Sequence, residues 1–271
     1  MSQTATVISN NELMPGLCLL WLTCPQISHT VQPGQFVMLN CGMYSEMALR
    51  RPLSIHRVDG DNMALLFNIK GKGTQWLSRR CPGEIVDIIG PLGNGFLLDP
   101  FSRNLLMIAG GMGIAPLHFL IEKGVSQGKR VTLLMGACSA EYLPVEYIKK
   151  EMTSRINTLM VTEDGSFGYQ GLVTEYIESA QIDIIDQVFA CGPLSMYYGI
   201  AVNKKRLGLE GKKIQISLET RMGCGLGICY SCTVRTLHGL KQVCKDGPVF
   251  YLDDILWDEL TLDYSEKGAG V

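Results

Sequence analysis

Four thiols near the end of the chain stand at a spacing that suits a metal cluster. Cys224, Cys229, Cys232 and Cys244 read C-x4-C-x2-C-x11-C, with Gly223, Gly225 and Gly227 threaded through the first loop. A backbone that wraps closely around thiolates needs conformations that glycine adopts freely. The opening C-x4-C-x2-C with one distant cysteine is the plant-type two-iron spacing. Structural zinc usually draws on two short knuckles, and here the second half holds Cys244 alone. Spacing and glycine content therefore favour a [2Fe–2S] cluster over zinc, and either over four buried thiols without metal.

Two stretches upstream have residue types suited to phosphate and to a polar ring. Arg50-Arg51-Pro52-Leu53-Ser54 opens a strand with paired arginines. A guanidinium fork binds a diphosphate bidentately, and the serine hydroxyl can meet a ring edge. Taken alone, a solvated basic pair at a strand end explains the same residues. Gly71-Lys72-Gly73-Thr74 reads as the start of a short helix with Thr74 as N-cap, where free N–H groups receive phosphate. Alone it is an ordinary glycine turn; with the arginine strand it becomes more specific.

A third stretch suits a dinucleotide. Gly110-Gly111-Met112-Gly113 follows an apolar run, Leu105 to Ala109, and precedes a helical segment from about Ile114. It is not the G-x-G-x-x-G fingerprint, but its helix-start amides could hold a pyrophosphate. Cys191-Gly192-Pro193 ends another strand and is expected to face the same crevice. A small buried thiol at a strand end is the bland account of Cys191. Beyond the second strand the chain reads Gly136-Ala137-Cys138-Ser139-Ala140-Glu141, with an acid and no base, which suits the 2′-hydroxyl of NAD better than the phosphate of NADP.

The elements that position these residues change character along the chain. Up to about Leu98 short strands alternate with turns: Thr6–Ile8, Leu17–Leu22, Gln35–Leu39, Leu53–Val58, Met63–Ile69 and Ile85–Ile89. That spacing predicts a small antiparallel barrel. Pro91 to Phe96 and Asp99-Pro100 mark a boundary. Strands then alternate with helices: strands at Leu105–Ala109, Val131–Met135, Thr158–Val161, Gln187–Ala190 and Lys213–Leu218, helices at Tyr147–Met152, Leu172–Ser179 and Pro193–Leu207. Such alternation predicts a parallel doubly wound sheet.

The whole of the chain bounds what it does. Its 271 residues suffice for two domains and a small module, and 46% apolar content supplies a core. A net charge of −2 gives no reason to expect nucleic acid or an anionic membrane as partner. Met1 to Asn11 has neither a basic region nor an apolar core, so a cytoplasmic protein with reduced thiols is expected despite 10 cysteines. Leu105 to Ile121 is apolar but short for a membrane span and interrupted by glycine and proline. His29, His56, His118 and His238 form no evident catalytic set and read as loop or core residues. Lys204-Lys205-Arg206 and Lys212-Lys213 read as solvated faces.

The arginine strand and the glycine-threonine turn resemble the flavin-binding barrel of the ferredoxin–NAD(P) reductase superfamily. The resemblance implies FAD held by Arg51, Pro52, Leu53 and Ser54, by Leu66, Phe67 and Asn68 beside the ring, and by Gly73 and Thr74 at the diphosphate. Leu53 stands where most of that superfamily has an aromatic residue. It also implies NAD(H) at Gly110, Gly111, Gly113 and Gly192, with Cys191 beside the nicotinamide as a candidate catalytic residue.

Leu49-Arg50-Arg51-Pro52-Leu53-Ser54-Ile55, Gly90 to Phe96, Asp164-Gly165-Ser166, Arg221-Met222-Gly223-Cys224-Gly225 and Asp246-Gly247-Pro248-Val249-Phe250 narrow the likeness. Together they resemble the electron-transfer subunits of NAD-dependent dihydroorotate dehydrogenases, over nearly the whole chain, and a branched residue at Leu53 is usual in that branch. The expected architecture is a flavin-binding antiparallel β-barrel (1–99), a parallel doubly wound NAD-binding α/β domain (100–212) and a small C-terminal [2Fe–2S] module with its tail (213–271). The expected partner is an FMN-containing dihydroorotate dehydrogenase catalytic subunit, in a heterotetramer of pyrimidine biosynthesis. A flavin converts between hydride and single-electron transfer, which accounts for the order of modules. Two alternatives stay open: an FAD/[2Fe–2S] NAD(P)H reductase serving another partner, such as a sulfide or ferredoxin-coupled oxidoreductase, and a zinc-bound or redox-sensing binding module without turnover.

Overall fold

The computed structural model describes residues 2–42, 49–151 and 156–257. The first six strands are β1 (Gln3–Met14), β2 (Leu17–Thr23), β3 (Phe36–Leu39), β4 (Arg51–Asp59), β5 (Asn62–Asn68) and β6 (Ile85–Leu92). They close an antiparallel barrel in the order β1-β2-β5-β4-β3-β6. Two short helices, α1 (Pro25–Ser28) and α2 (Lys72–Ser78), lie between them. Alternation explains why β2 and β5 are apolar on both faces. Leu20, Leu22, Leu65 and Phe67 fill the barrel, whereas Leu17, Leu19, Ala64 and Leu66 join the core of the next sheet.

That sheet is built from β7 (Asn104–Gly110), α3 (Ile114–Ser126), β8 (Arg130–Ala137), α4 (Val145–Glu151), β9 (Ile156–Thr162), β10 (Tyr169–Gln170), β11 (Gln187–Cys191), α5 (Leu194–Asn203) and β12 (Ile214–Ser217). A hairpin, β13 (Thr233–Thr236) with β14 (Gly239–Gln242), follows the cysteine loop, and β15 (Val249–Tyr251) returns to the sheet. The order is β10-β9-β8-β7-β11-β12-β15, parallel except that β15 runs antiparallel to β12. Strands are added in opposite directions on either side of the β7–β11 pair, so the switch point, where such sheets bind ligands, lies at their carboxyl ends. Beyond residue 212, β12 and β15 are still part of this sheet. No helix among the described residues is long and apolar enough to cross a membrane.

Three local expectations are corrected. Leu172–Ser179 is not an α-helix but a run of 3-10 turns, Val173–Tyr176 and Glu178–Ala180. Val173, Ile177 and Ala180 have helical spacing and reach the core, but a segment this short gains little from helix propagation. The last helix starts at Leu194 with Pro193 as its extended cap and stops at Asn203 rather than Leu207. Thr74 is not an N-cap. Gly71 holds that place, and the Thr74 hydroxyl oxygen accepts the N–H groups of Lys70 (2.9 Å) and Gly71 (3.2 Å) from the third helical position.

The modules are tied by buried polar contacts. The Lys129 ammonium, 5% exposed, donates to the carbonyls of Asp99 (2.9 Å), Pro100 (3.2 Å) and Ser102 (2.6 Å) in the linker between barrel and sheet. The Gly93-Asn94 turn clasps the C-terminal segment: the Asn94 side-chain amide donates to Asp246 (3.0 Å), and a Cβ at Gly93 would meet Pro248 Cδ at 2.6 Å.

Candidate functional site: two joined cavities and a cysteine loop

The cysteine loop rests on the barrel. A Cβ at Gly225, where φ is +70°, would meet Met38 Cγ of β3 at 2.6 Å, so only glycine lets the loop lie this close. Backbone N–H groups point at the sulfurs. Those of Leu226 and Ile228 lie 3.3 Å, and that of Cys229 3.4 Å, from Cys224 Sγ; that of Gly227 lies 3.2 Å from Cys244 Sγ. The Cys244 N–H lies 3.4 Å from Cys232 Sγ.

The four thiols influence one another: Cys224 acts on both Cys229 and Cys244, and Cys232 acts on Cys244. Among the described residues no three His, Cys, Asp or Glu side chains gather around one point as for a single ion. Cys229 is exposed and Cys224 half-buried, whereas Cys232 and Cys244 are buried. The Ser231 hydroxyl and N–H bring the Cys229 thiol down to about 6, and burial beside Cys232 pushes Cys244 up to about 12. Amide N–H groups directed at sulfur stabilise thiolates, the form that binds metal.

Between the barrel and the sheet lies a cavity of about 270 Å³. Pro52, Leu53 and Ser54 of β4, Leu66, Phe67 and Asn68 of β5, and Thr74 line it. Arg51 and Gly73 lie outside this lining but against each other: a Cβ at Gly73 would meet Arg51 Nε at 2.7 Å. Gly73 thus makes room for the guanidinium stem beside the helix start. Met222, two residues before Cys224, also lines this cavity and joins it to the cysteine loop.

A larger cavity of about 660 Å³ opens at the switch point of the sheet. Gly110, Gly111, Gly113 and Gly192 all line it. At Gly113 a Cβ would overlap the carbonyl of Cys191, so the turn after β7 can approach the end of β11 only as glycine. Glu141 and Glu163 give this lining two acids, beside Cys138, and Arg206 lines it after α5. The basic run there therefore divides: Lys204 pairs with Asp253 (2.7 Å), whereas Arg206 faces the cavity rather than open solvent.

Cys191 departs from expectation. It ends β11 as read, but its side chain is fully buried and lines neither cavity. Its thiol lies 3.8 Å from the Ser217 carbonyl, and burial, with the charge of Glu219, pushes its pKa well up. The thiol is enclosed against β12 and does not open into either cavity. Tyr197, also fully buried, accepts the Gly192 N–H at 2.9 Å and donates to the Ser217 carbonyl at 2.6 Å, joining the ends of β11 and β12.

Sequence reasoning missed Lys70, Met112 and Glu219, which with Asn68 line both cavities and make them one continuous space. Glu219 lies just past the carboxyl end of β12, where open α/β sheets bind ligands. That rule was the one signal for it.

Comparison with known proteins gives three findings. Residues 219–256 match the family model described as the iron-sulfur cluster binding domain of dihydroorotate dehydrogenase B. The chain is 34% identical over 263 residues to the dihydroorotate dehydrogenase B (NAD(+)) electron transfer subunit of Bacillus mycoides (strain KBAB4), covering 94% of this chain and 98% of the relative. It is 35% identical over 258 residues to that of Geobacillus sp. (strain WCH70), covering 93% and 97%. Among solved structures, a chain of the NADH-dependent reduced ferredoxin-NADP oxidoreductase, studied for flavin-based electron bifurcation, superposes with a TM-score of 0.84 at 26% identity, over 97% of this chain and 93% of that one. The ferredoxin reductase of carbazole 1,9a-dioxygenase shares the fold, with a TM-score of 0.66 at 18% identity over 80% and 68%.

Proposed function

Since this chain belongs to the electron-transfer subunits of NAD-dependent dihydroorotate dehydrogenase B, we propose that it links an FMN-containing catalytic subunit to NAD through FAD and a [2Fe–2S] cluster, in a heterotetramer of pyrimidine biosynthesis. Bound FAD supplies conversion between hydride transfer and single-electron transfer. Residues 1–99 hold the flavin, 100–212 with β12 and β15 the nicotinamide dinucleotide, and the cysteine loop and hairpin within 213–271 the cluster.

The chain's own residues divide the work. Pro52, Leu53 and Ser54 form one wall for the isoalloxazine, and Leu66 to Asn68 another. Arg51, braced on Gly73, is placed for the diphosphate near the Thr74 turn. Gly110, Gly111, Gly113 and Gly192 bring backbone close to the dinucleotide. Glu141 and Glu163 in the same lining disfavour a 2′-phosphate, in keeping with NAD.

Cys224, Cys229, Cys232 and Cys244 hold the cluster, with amides of residues 226–229 and 244 directed at their sulfurs. Hydrogen bonds to sulfur tune such a cluster's potential. The exposed Cys224–Cys229 side is the entry for single electrons, and Met222 lies between it and the flavin cavity. Exposed Leu226, Ile228 and Tyr230 surround this entry and offer an apolar contact to the catalytic subunit.

The observation that carries the reading is the set of backbone N–H groups directed at the sulfurs of Cys224, Cys232 and Cys244, beside a cavity that Met222 lines. The experiment is anaerobic reconstitution with iron, sulfide and FAD. Equimolar FAD and two-iron cluster are expected, and a colourless chain contradicts the reading. The 0.84 likeness to the ferredoxin-NADP oxidoreductase chain favours a second reading, an FAD/[2Fe–2S] NAD(P)H reductase for another partner, such as a sulfide or ferredoxin-coupled oxidoreductase. Co-isolation of the native partner separates the two.

A further inference from the structure

The Ser231 hydroxyl sits between two parts of the cysteine loop. Its oxygen lies 3.0 Å from the Gly223 N–H nitrogen and 3.2 Å from Cys229 Sγ. An amide N–H only donates, so the serine oxygen accepts from Gly223. The hydroxyl carries a single hydrogen. Among the described residues the Cys229 sulfur is the one acceptor within its reach, so the hydrogen is directed there. Cys224, Cys232 and Cys244 face backbone N–H groups and, among the described residues, no hydroxyl.

The contact is built into the loop. Tyr230, between the two residues, has a φ of 59°, a left-handed conformation uncommon for a bulky side chain. Its carbonyl accepts the Thr233 hydroxyl (2.7 Å) and N–H (3.3 Å), and this turn returns Ser231 to Cys229. A Cβ at Gly223 would come within 3.1 Å of Cys229 Sγ and 3.3 Å of Ser231 Oγ, so glycine there leaves both atoms uncrowded. Cys229 and Ser231 are exposed, and water reaches this sulfur as well. The Gly223 amide already fixes the hydroxyl, whereas a water must first be ordered.

Reduction adds negative charge that a cluster shares with its thiolate ligands. A donor at a ligand sulfur therefore stabilises the reduced form more than the oxidised one. We propose that the Ser231 hydroxyl, donating to Cys229 Sγ, raises the reduction potential of the cluster, so that it accepts an electron more readily. Ser231 acts through Cys229 as a positioning residue and touches no reacting atom. This rests on the reading of the four cysteines as [2Fe–2S] ligands.

The test uses the full chain reconstituted with iron, sulfide and FAD, as wild type, Ser231→Ala and Ser231→Thr. The midpoint potential is read from the paramagnetic resonance signal in a redox titration, with iron and FAD content as checks on assembly. At a fixed applied potential the reduced-to-oxidised ratio is expected to fall about tenfold in Ser231→Ala, equal to about 59 mV for one electron. Ser231→Thr, which keeps the hydroxyl, is expected to stay near wild type. A Ser231→Ala midpoint at or above that of wild type overturns the assignment, as does an equal fall in both variants. Cluster loss from either variant makes the serine part of the cluster's scaffold and overturns it too. A wild type that binds zinc, or takes up no iron, overturns the underlying reading of the cysteines instead.

Discussion

The Tyr197 hydroxyl lies 2.6 Å from the carbonyl of Ser217, and through it the floor of the nucleotide crevice is joined to the wall of the flavin cavity. The same oxygen accepts the Gly192 N–H at 2.9 Å. Tyr197→Phe leaves both backbone groups without this partner; only the Cys191 thiol still reaches Ser217. A buried unpaired group costs about 1–3 kcal/mol. We expect a loss of stability in that range by denaturant titration and a higher KM for NADH, with FAD retained. Wild-type values for both would remove Tyr197 from the floor.

Arg51 rests against Gly73 at the edge of the flavin cavity. Arg51→Ala removes one charge-assisted contact to a diphosphate, and FAD should dissociate about tenfold more readily. Ultrafiltration of the loaded protein measures this. Gly73→Ala should act in the same direction, because its Cβ displaces the arginine stem.

Ile228, 71% exposed, stands beside the solvent-facing thiols. If this surface receives the catalytic subunit, Ile228→Asp should weaken the complex at least about tenfold, since it places an unpaired charge in an apolar contact. NADH oxidation by a small dye should stay at the wild-type rate. Unchanged affinity would move the docking surface elsewhere.

The seam between barrel and sheet predicts a pH dependence. His56 of β4 is fully buried, its Nδ1 2.9 Å from the Ala115 carbonyl and its Nε2 2.7 Å from the Tyr147 hydroxyl. The His118 ring of α3 lies 4.4 Å away, with Arg57 and Glu122 nearby. Burial holds the pKa of His56 down to about 4, the Ala115 carbonyl opposing and the Arg57 charge assisting; His118 is lowered likewise by burial and by His56.

An unfolded histidine titrates near 6.5, so between about 6.5 and 4 the unfolded chain binds more protons. The neutral ring's contribution is complete above pH 6.5 and is lost as pH falls toward 4, about 3 kcal/mol from His56 alone. Denaturation midpoints from pH 7.5 to 4.5 should show the fall, and His56→Gln should flatten it. An equal slope in both proteins would contradict the assignment.

Much of this was legible before any coordinates. The run of short strands broken by turn signals, read from the sequence, is the closed antiparallel barrel. Pro52 to Ser54 and Leu66 to Asn68, which the resemblance assigned to one site, line one cavity because β4 and β5 are neighbours. What stayed hidden depends on contacts between distant segments. Glu219, Lys70 and Tyr197 belong to no motif and acquire meaning only where sheet and barrel meet. Cys191, which the resemblance placed beside the nicotinamide, is fully buried, as its place at a strand end suggested. The segment after Gly171 had helical periodicity, but its core anchors are satisfied by 3-10 turns.

The most direct test of the electron path is an anaerobic titration of the reconstituted chain with NADH, followed by absorption and paramagnetic resonance. We predict bleaching of one FAD per chain, and a reduced two-iron signal that grows with it. In Cys224→Ser the iron and its signal should vanish while FAD and its bleaching remain. Flavin that bleaches in the wild type while an intact cluster stays oxidised, or bound zinc in place of iron, would contradict the account.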